Sequence, residues 1–281
     1  MSRLLFLSLV LGCFTSFVNA QAPRVGDPSA SKNPSTTQVV TPIAISTIKS
    51  APACNKTIYL TFDTGNMAMA ETIAAILQRQ QVKATFFLAN EKTTRGDFSL
   101  DESWRNYWQK LAEAGHHFGS HTFDHAYFQG DGQNALVRLK PQFGSEAGIG
   151  KWYDAAAFCA ELKRVDRRFQ ELTGRHLEPI WRAPGGKVSP RLTAFGEQCG
   201  FQHIAWTSAG FLGDELDSGR FPNAILLARA SKNLQDGDIA MAHLGIWSRK
   251  DAWAPAVLEP LIDNLKQRGF CFATLPVLVT K

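Results

Sequence analysis

Cysteine is scarce in this 281-residue chain: there are five, and no two stand at C-x-x-C spacing. That argues against a thiolate zinc site, whose ligands come in such close pairs. Basic residues are not massed either. Lys and Arg number 30 against 25 Asp and Glu, a net charge of +5. They are scattered along the chain, so the basic patch of a nucleic-acid binder is missing. A mildly basic surface does suit attraction to an anionic polymer such as a cell-wall glycan. Long apolar runs are absent as well. The one apolar stretch, in MSRLLFLSLVLGCFTSFVNA, is diluted by Ser8, Gly12, Thr15 and Ser16, which argues against a membrane span. There is no internal repeat and no clear sign of oligomerisation, so a monomer is the default.

What is present at the N-terminus is Arg3, a short apolar core and then Val18-Asn19-Ala20. This order predicts a secretory signal over 1–20, cut after Ala20, and a secreted or periplasmic protein. A second reading takes Cys13 in VLGC as a lipidated anchor. Residues 21–53 are rich in Pro, Ser, Thr and Ala with little periodicity, the composition of a flexible linker. A single domain is expected over 54–281. Export permits disulfides among the remaining four cysteines, which allow three pairings. We expect Cys54 with Cys271 and Cys159 with Cys199.

Within the domain, strand-like and helix-like segments alternate. TIYLTFD and VKATFFLA read as buried strands. Helices are expected over 68–80, where Ile73, Ile76 and Leu77 form one stripe, and over 104–114, 155–173, 190–199, 223–234 and 255–268. Several close on a glycine, a common stop. PIWRAP, FQHIAW, DIAMAH and FCFATL supply further strands. The rhythm predicts a parallel α/β barrel or sheet. Residues 127–153 break it and read as a long irregular insertion of the kind that lines a binding site.

The polar residues fall at the strand ends. Asp63 ends YLTFD, His121 follows HHFGS, Arg182 ends PIWR and His243 ends DIAMAH. In a parallel α/β barrel these ends open onto one face, where catalytic groups gather. A capping Asp, a loop His or a snorkelling Arg explains each singly. It explains the four together poorly. GSHTFDH adds a second imidazole, His125, four residues after His121, a spacing seen in metal sites and also in ordinary polar loops.

In that order and spacing, TFDTG, HTFDH, RAPGG and AMAH resemble the motifs of the NodB-homology polysaccharide deacetylases over about 58–275. The resemblance implies a distorted, incomplete (β/α) barrel that removes N-acetyl groups from amino sugars with a divalent metal, commonly zinc. By the same resemblance His121 and His125 are metal ligands. Asp63 is the general base, Arg182 orients it, and His243 is the general acid. The Gly185 N–H helps hold the oxyanion, Met241 shapes the acetyl pocket and Asp214 tunes His243, with Asp217 and Glu215 as rivals.

The chain departs from the family at Thr64, where a second Asp normally completes the metal site. Asp63 itself, an acid from the 127–153 insertion, or water could fill the gap. Gly185 replaces a bulkier residue, which would open the cleft. His117, where the family often has Glu, reads as a surface residue. In the loop LGIWSRKDAWAP, Trp247 and Trp253 could stack on sugar rings, and Arg249 and Lys250 could meet a carboxylate. That favours peptidoglycan as substrate over neutral chitin. The alternatives are a glycan-binding pseudoenzyme that lost its metal with the second Asp, and amide hydrolysis on a non-sugar substrate.

Overall fold

A computed structural model describes residues 54–276 of the chain. The expected signal at 1–20, the linker at 21–53 and Cys13 lie outside the described residues. The chain begins with β1 (Lys56–Asp63), α1 (Ala70–Arg79), β2 (Thr85–Leu88), α2 (Arg105–Glu113) and β3 (His117–Ser120). Then come β4 (Tyr127–Asp131), β5 (Val137–Lys140), β6 (Lys151–Tyr153), α3 (Ala155–Thr173), β7 (Ile180–Trp181), α4 (Pro190–Gln198) and β8 (Gln202–His203). The C-terminal part holds α5 (Asn223–Asn233), β9 (Ile239–His243), α6 (Trp253–Ala256), α7 (Leu258–Gln267) and β10 (Phe270–Ala273).

β1 is the hub of a seven-stranded parallel sheet. Its first half pairs with β10, and its second half with β2 and β9. From β2 the sheet continues through β3 and β7 to β8. β8 does not pair with β9. An isolated bridge from Phe211 to Met241 meets β9 instead, so the sheet curls into an incomplete (β/α) barrel, as expected. β2 and β9 read as largely apolar runs because they are covered on both faces. Helix faces supply the cover. On α1 the buried residues are Ala70, Ile73, Ile76 and Leu77, the stripe its spacing predicted. Asp154 caps α3 by accepting from the Ala157 N–H at 2.8 Å, and Gly174 ends it in the left-handed conformation. Among the described residues no helix is long and apolar enough to cross a membrane.

Two expectations need correction. The insertion at 127–153 is not irregular: β4, β5 and β6 form a separate antiparallel sheet. Its strands are only three to five residues long, and a register shift sits between Phe128 and Gly130 in β4, which hides the period-2 pattern. Of the two expected disulfides, Cys54–Cys271 is formed, but Cys159 and Cys199 are free. α3 and α4 pack together and bring these two thiols into contact. Burial, followed by the Cys159 thiol, pushes Cys199 up to about 12, so the thiol is protonated at neutral pH.

Candidate active site

Parallel pairing sets the strand ends side by side. Asp63 at the end of β1 stands opposite His243 at the end of β9 and opposite Phe87 in β2. Leu88 is opposite Ser120, and Ser120 opposite Trp181. The next residues along these strands therefore leave the sheet at one edge, where open α/β folds bind ligands. There they surround a cleft of about 450 Å³ lined by Asp63, Glu91, His121, His125, Met241 and His243, among others.

Asp63 and Arg182 meet at the floor. Arg182 is fully buried. Its Nη1 donates to Asp63 Oδ1 at 2.9 Å and to Thr61 Oγ1 at 2.8 Å, and its Nε donates to the Ile204 carbonyl at 3.2 Å. The guanidinium lies over the Phe87 ring at 4.1 Å. Burial by itself would raise the Asp63 pKa. The Arg182 guanidinium, with His121 and His243 beside it, outweighs burial and leaves the group lowered, so Asp63 is a carboxylate at neutral pH.

The two imidazoles are placed by a turn, not by a helix. Thr122 and His125 both take positive φ, 61° and 48°, and Thr122 Oγ1 accepts from the Ala126 N–H at 2.8 Å. The ring centroids of His121 and His125 stand 5.0 Å apart. His121 Nδ1 is 2.9 Å from the Arg182 carbonyl, and a carbonyl only accepts, so Nδ1 carries the hydrogen. The lone pair is left on Nε2, 3.6 Å from Asp63 Oδ2. Burial pulls the His121 pKa to about 4 against the opposing pull of Asp63, and the ring is neutral.

His243 has the opposite character. Asp214 accepts its backbone N–H at 2.7 Å and faces its Nδ1 at 3.1 Å. Burial would lower the His243 pKa. The charge and hydrogen bond of Asp214, then Asp63 and Glu215, overcome it and hold the group at about 9. Asp214 is thus the partner among the three rivals. Asp217 accepts from the Arg220 N–H, and Glu215 reaches only 3.9 Å from His243 Nε2.

Met241, on β9, lines the cleft, and Trp247 stands at its rim, 63 % exposed. Gly185 has φ 65°, and a Cβ there would lie 2.7 Å from Tyr127 Cε1. The bulk missing at this position is therefore supplied by Tyr127 of β4, which corrects the expectation of an open cleft. Arg249 is also corrected. It donates to the carbonyls of Leu216 and Phe221, to Asn223 Oδ1 and to Asp251 Oδ2. With its side chain buried, it ties loops together and is not free to meet a substrate carboxylate. Trp253 packs in the main core. His117, on β3, stands 3.9 Å from Glu178.

Glu91 escaped the sequence reading. It is buried, three residues past the end of β2, and its Oε1 accepts from Thr64 Oγ1 at 2.6 Å and from the Gly65 N–H at 2.8 Å. Burial would raise its pKa. His125 beside it, the Thr64 hydrogen bond, His121 and the Gly65 N–H together lower it. The strand-end rule that picked out Asp63, Arg182 and His243 points here too, once applied to the loop after FFLA. The acids of the 127–153 segment are engaged elsewhere: Asp131 with Ser189 and Glu146 with Lys151.

The donor chemistry fits a divalent ion. A neutral imidazole presents a free Nε2 lone pair, with a second imidazole and two buried carboxylates around the same cleft, and nitrogen and carboxylate oxygen donors suit zinc. Among the described residues no three such side chains are already drawn into one ion-binding group.

The sequence profile of polysaccharide deacetylases matches residues 50–204. The chain is 24 % identical over 231 residues to the peptidoglycan-N-acetylmuramic acid deacetylase PdaA of Bacillus subtilis (strain 168), covering 80 % of this chain and 72 % of that one. It is 23 % identical over 229 residues to the chitooligosaccharide deacetylase of Azorhizobium caulinodans, covering 78 % and 92 %. Among solved structures it resembles the Xyl-CE4 domain of a multidomain xylanase from the hindgut metagenome of Trinervitermes trinervoides. There the TM-score is 0.58 and the identity 21 %, over 78 % of this chain and 87 % of that one. An incomplete parallel barrel, four ordered motifs meeting at one sheet edge and the profile match lead to the same place: the chain belongs to the polysaccharide deacetylase family, of the NodB-homology type.

Proposed function

We propose that this protein is an exported, metal-dependent N-deacetylase of a cell-wall or exported glycan, with peptidoglycan as its substrate. The observation that carries the reading is the pairing of two ionised groups of opposite role across one rung. An arginine-held carboxylate, Asp63, stands beside an aspartate-held imidazolium, His243. His121 and His125 would hold the divalent ion. When bound, such an ion polarises the acetamide carbonyl and acidifies water. Asp63 accepts a proton from the attacking water. His243 donates one to the nitrogen as the C–N bond breaks, releasing acetate and a free amine. A positioned acid or base contributes about 10²–10⁴-fold. The Gly185 N–H would donate to the oxygen that gains charge, and Met241, lining the cleft, would give the acetyl methyl an apolar wall.

Trp247 offers an exposed indole face to a sugar ring, and Lys250, three residues on, is an exposed cation lining a neighbouring cavity that shares His243 with the cleft. The likeness to a muramic acid deacetylase supports peptidoglycan, and the likeness to a chitooligosaccharide deacetylase supports the neutral alternative. The decisive measurement is acetate release from peptidoglycan and from chitooligosaccharides, with and without a chelator. Release from peptidoglycan that stops on chelation and returns with Zn²⁺ is expected. Glycan binding with no acetate release would instead favour the pseudoenzyme reading, which Thr64 in place of the usual aspartate suggests.

A further inference from the structure

We propose that Glu91 replaces the missing second aspartate, supplying the carboxylate ligand to the ion held by His121 and His125, with Thr64 as its positioning residue. The inference rests on the metal-dependent reading above. Thr64 Oγ1 accepts the Ala89 N–H at 3.1 Å, so its own proton is free to point at Glu91 Oε1, 2.6 Å away. The Gly65 N–H takes the same oxygen at 2.8 Å. Oε1 is thus fully engaged, while none of the hydrogen bonds among the described residues uses Oε2. That oxygen belongs to a residue lining the cleft together with both imidazoles.

The loop carrying Glu91 is tied down. Its N–H donates to Ser99 Oγ at 3.0 Å, the Ser99 N–H donates back to the Glu91 carbonyl at 2.9 Å, and Ser99 Oγ donates to the Ala89 carbonyl at 2.6 Å. A carboxylate held in this way is preorganised for ligation. An aspartate at 64 would set a second negative group where the Thr64 hydroxyl now donates, within a hydrogen bond's reach of Glu91. Two like charges that close inside a buried site are mutually unfavourable. Threonine at 64 is therefore compatible with a carboxylate at 91, and in this chain the negative charge beside the two imidazoles stands on the β2 loop.

The test is equilibrium binding of Zn²⁺, with the visible absorption of Co²⁺ as a second signal, to the purified chain stripped of metal. Wild type should bind one ion. Glu91→Gln should bind more than about 100-fold more weakly, exceeding the roughly 10–100-fold that loss of an outer partner costs. Thr64→Val should fall within that smaller range. The double variant Thr64→Asp/Glu91→Gln, which moves the carboxylate back, should recover binding, and it keeps the test open should Glu91→Gln alone fail to fold. Binding by Glu91→Gln within tenfold of wild type overturns the assignment while leaving the metal-dependent reading intact. So does a folded double variant that does not recover. A wild type that takes up neither ion, and releases acetate in the presence of chelator, overturns both.

Discussion

Asp63 and His243 share a cleft and carry opposite charges because each has a dedicated partner of the other sign. Arg182 keeps the carboxylate ionised, and Asp214 keeps the imidazole protonated up to about 9. Environments that push two titratable groups apart in this way assign the acid and the base. The sign of the pH dependence follows. The cationic form of His243 is present below its pKa and lost above it, so kcat/KM should fall as pH rises through about 9. Asp214→Asn removes the strongest influence raising that pKa. The alkaline arm should then move to lower pH, and kcat/KM at neutral pH should drop by about 10²–10⁴-fold. A pH–rate profile of the two proteins checks this, and an unmoved arm would remove His243 as the acid. Most of the residue-scale chemistry was legible. Asp63, His121, Arg182 and His243 were found because each closes an apolar strand. Glu91 was not, because two residues, Ala89 and Asn90, stand between it and the strand end, and the strand-end rule reaches it only when extended into the loop.

At the scale of elements, the loops after β1 and β9 approach each other more closely than side chains permit. Gly65 has φ 62°, and a Cβ on it would lie 2.1 Å from the Gly245 carbonyl oxygen. The Asn66 N–H donates to that same oxygen at 2.9 Å. The glycine therefore allows Asp63 and His243 to be neighbours and delivers an N–H to Glu91. Gly65→Ala should cost about 1–3 kcal/mol of stability, read from the denaturation midpoint, and should reduce activity further by shifting Glu91. An alanine variant of wild-type stability would show that the loops can part without strain. Helix boundaries were legible to within a few residues because caps and stripes are local signals: α3 begins after Asp154 and ends before Gly174. The β4–β6 sheet was not, since its strands gain their meaning only from pairing with one another.

At the scale of the whole molecule, the described domain is stapled where it begins and ends. Cys54 and Cys271 are separated by 217 residues in sequence, and Thr57 pairs with Cys271 in the β1–β10 ladder. Joining residues so far apart removes many conformations from the unfolded chain. The paired substitution Cys54→Ser/Cys271→Ser should cost about 2–5 kcal/mol. Denaturation with and without reductant measures it, and a reductant-insensitive midpoint in wild type would count against the bridge. In an exported protein such a bond would persist.

The amino-acid order alone determined the alternation of strands and helices, a parallel α/β barrel or sheet, and the four polar residues at its strand ends. Each of these follows from local periodicity, or from the rule that parallel strands end on one face. Only the tertiary structure decided which groups touch. It gave Asp214 to His243 and committed Arg249 to its own loops. It filled the gap at Gly185 with Tyr127 and set Glu91 against Thr64. Thr64–Glu91, His243–Asp214, Arg249–Leu216 and Gly185–Tyr127 all join residues 27 or more apart in sequence, and distances across a sheet are set by packing and register, which a one-dimensional pattern does not record.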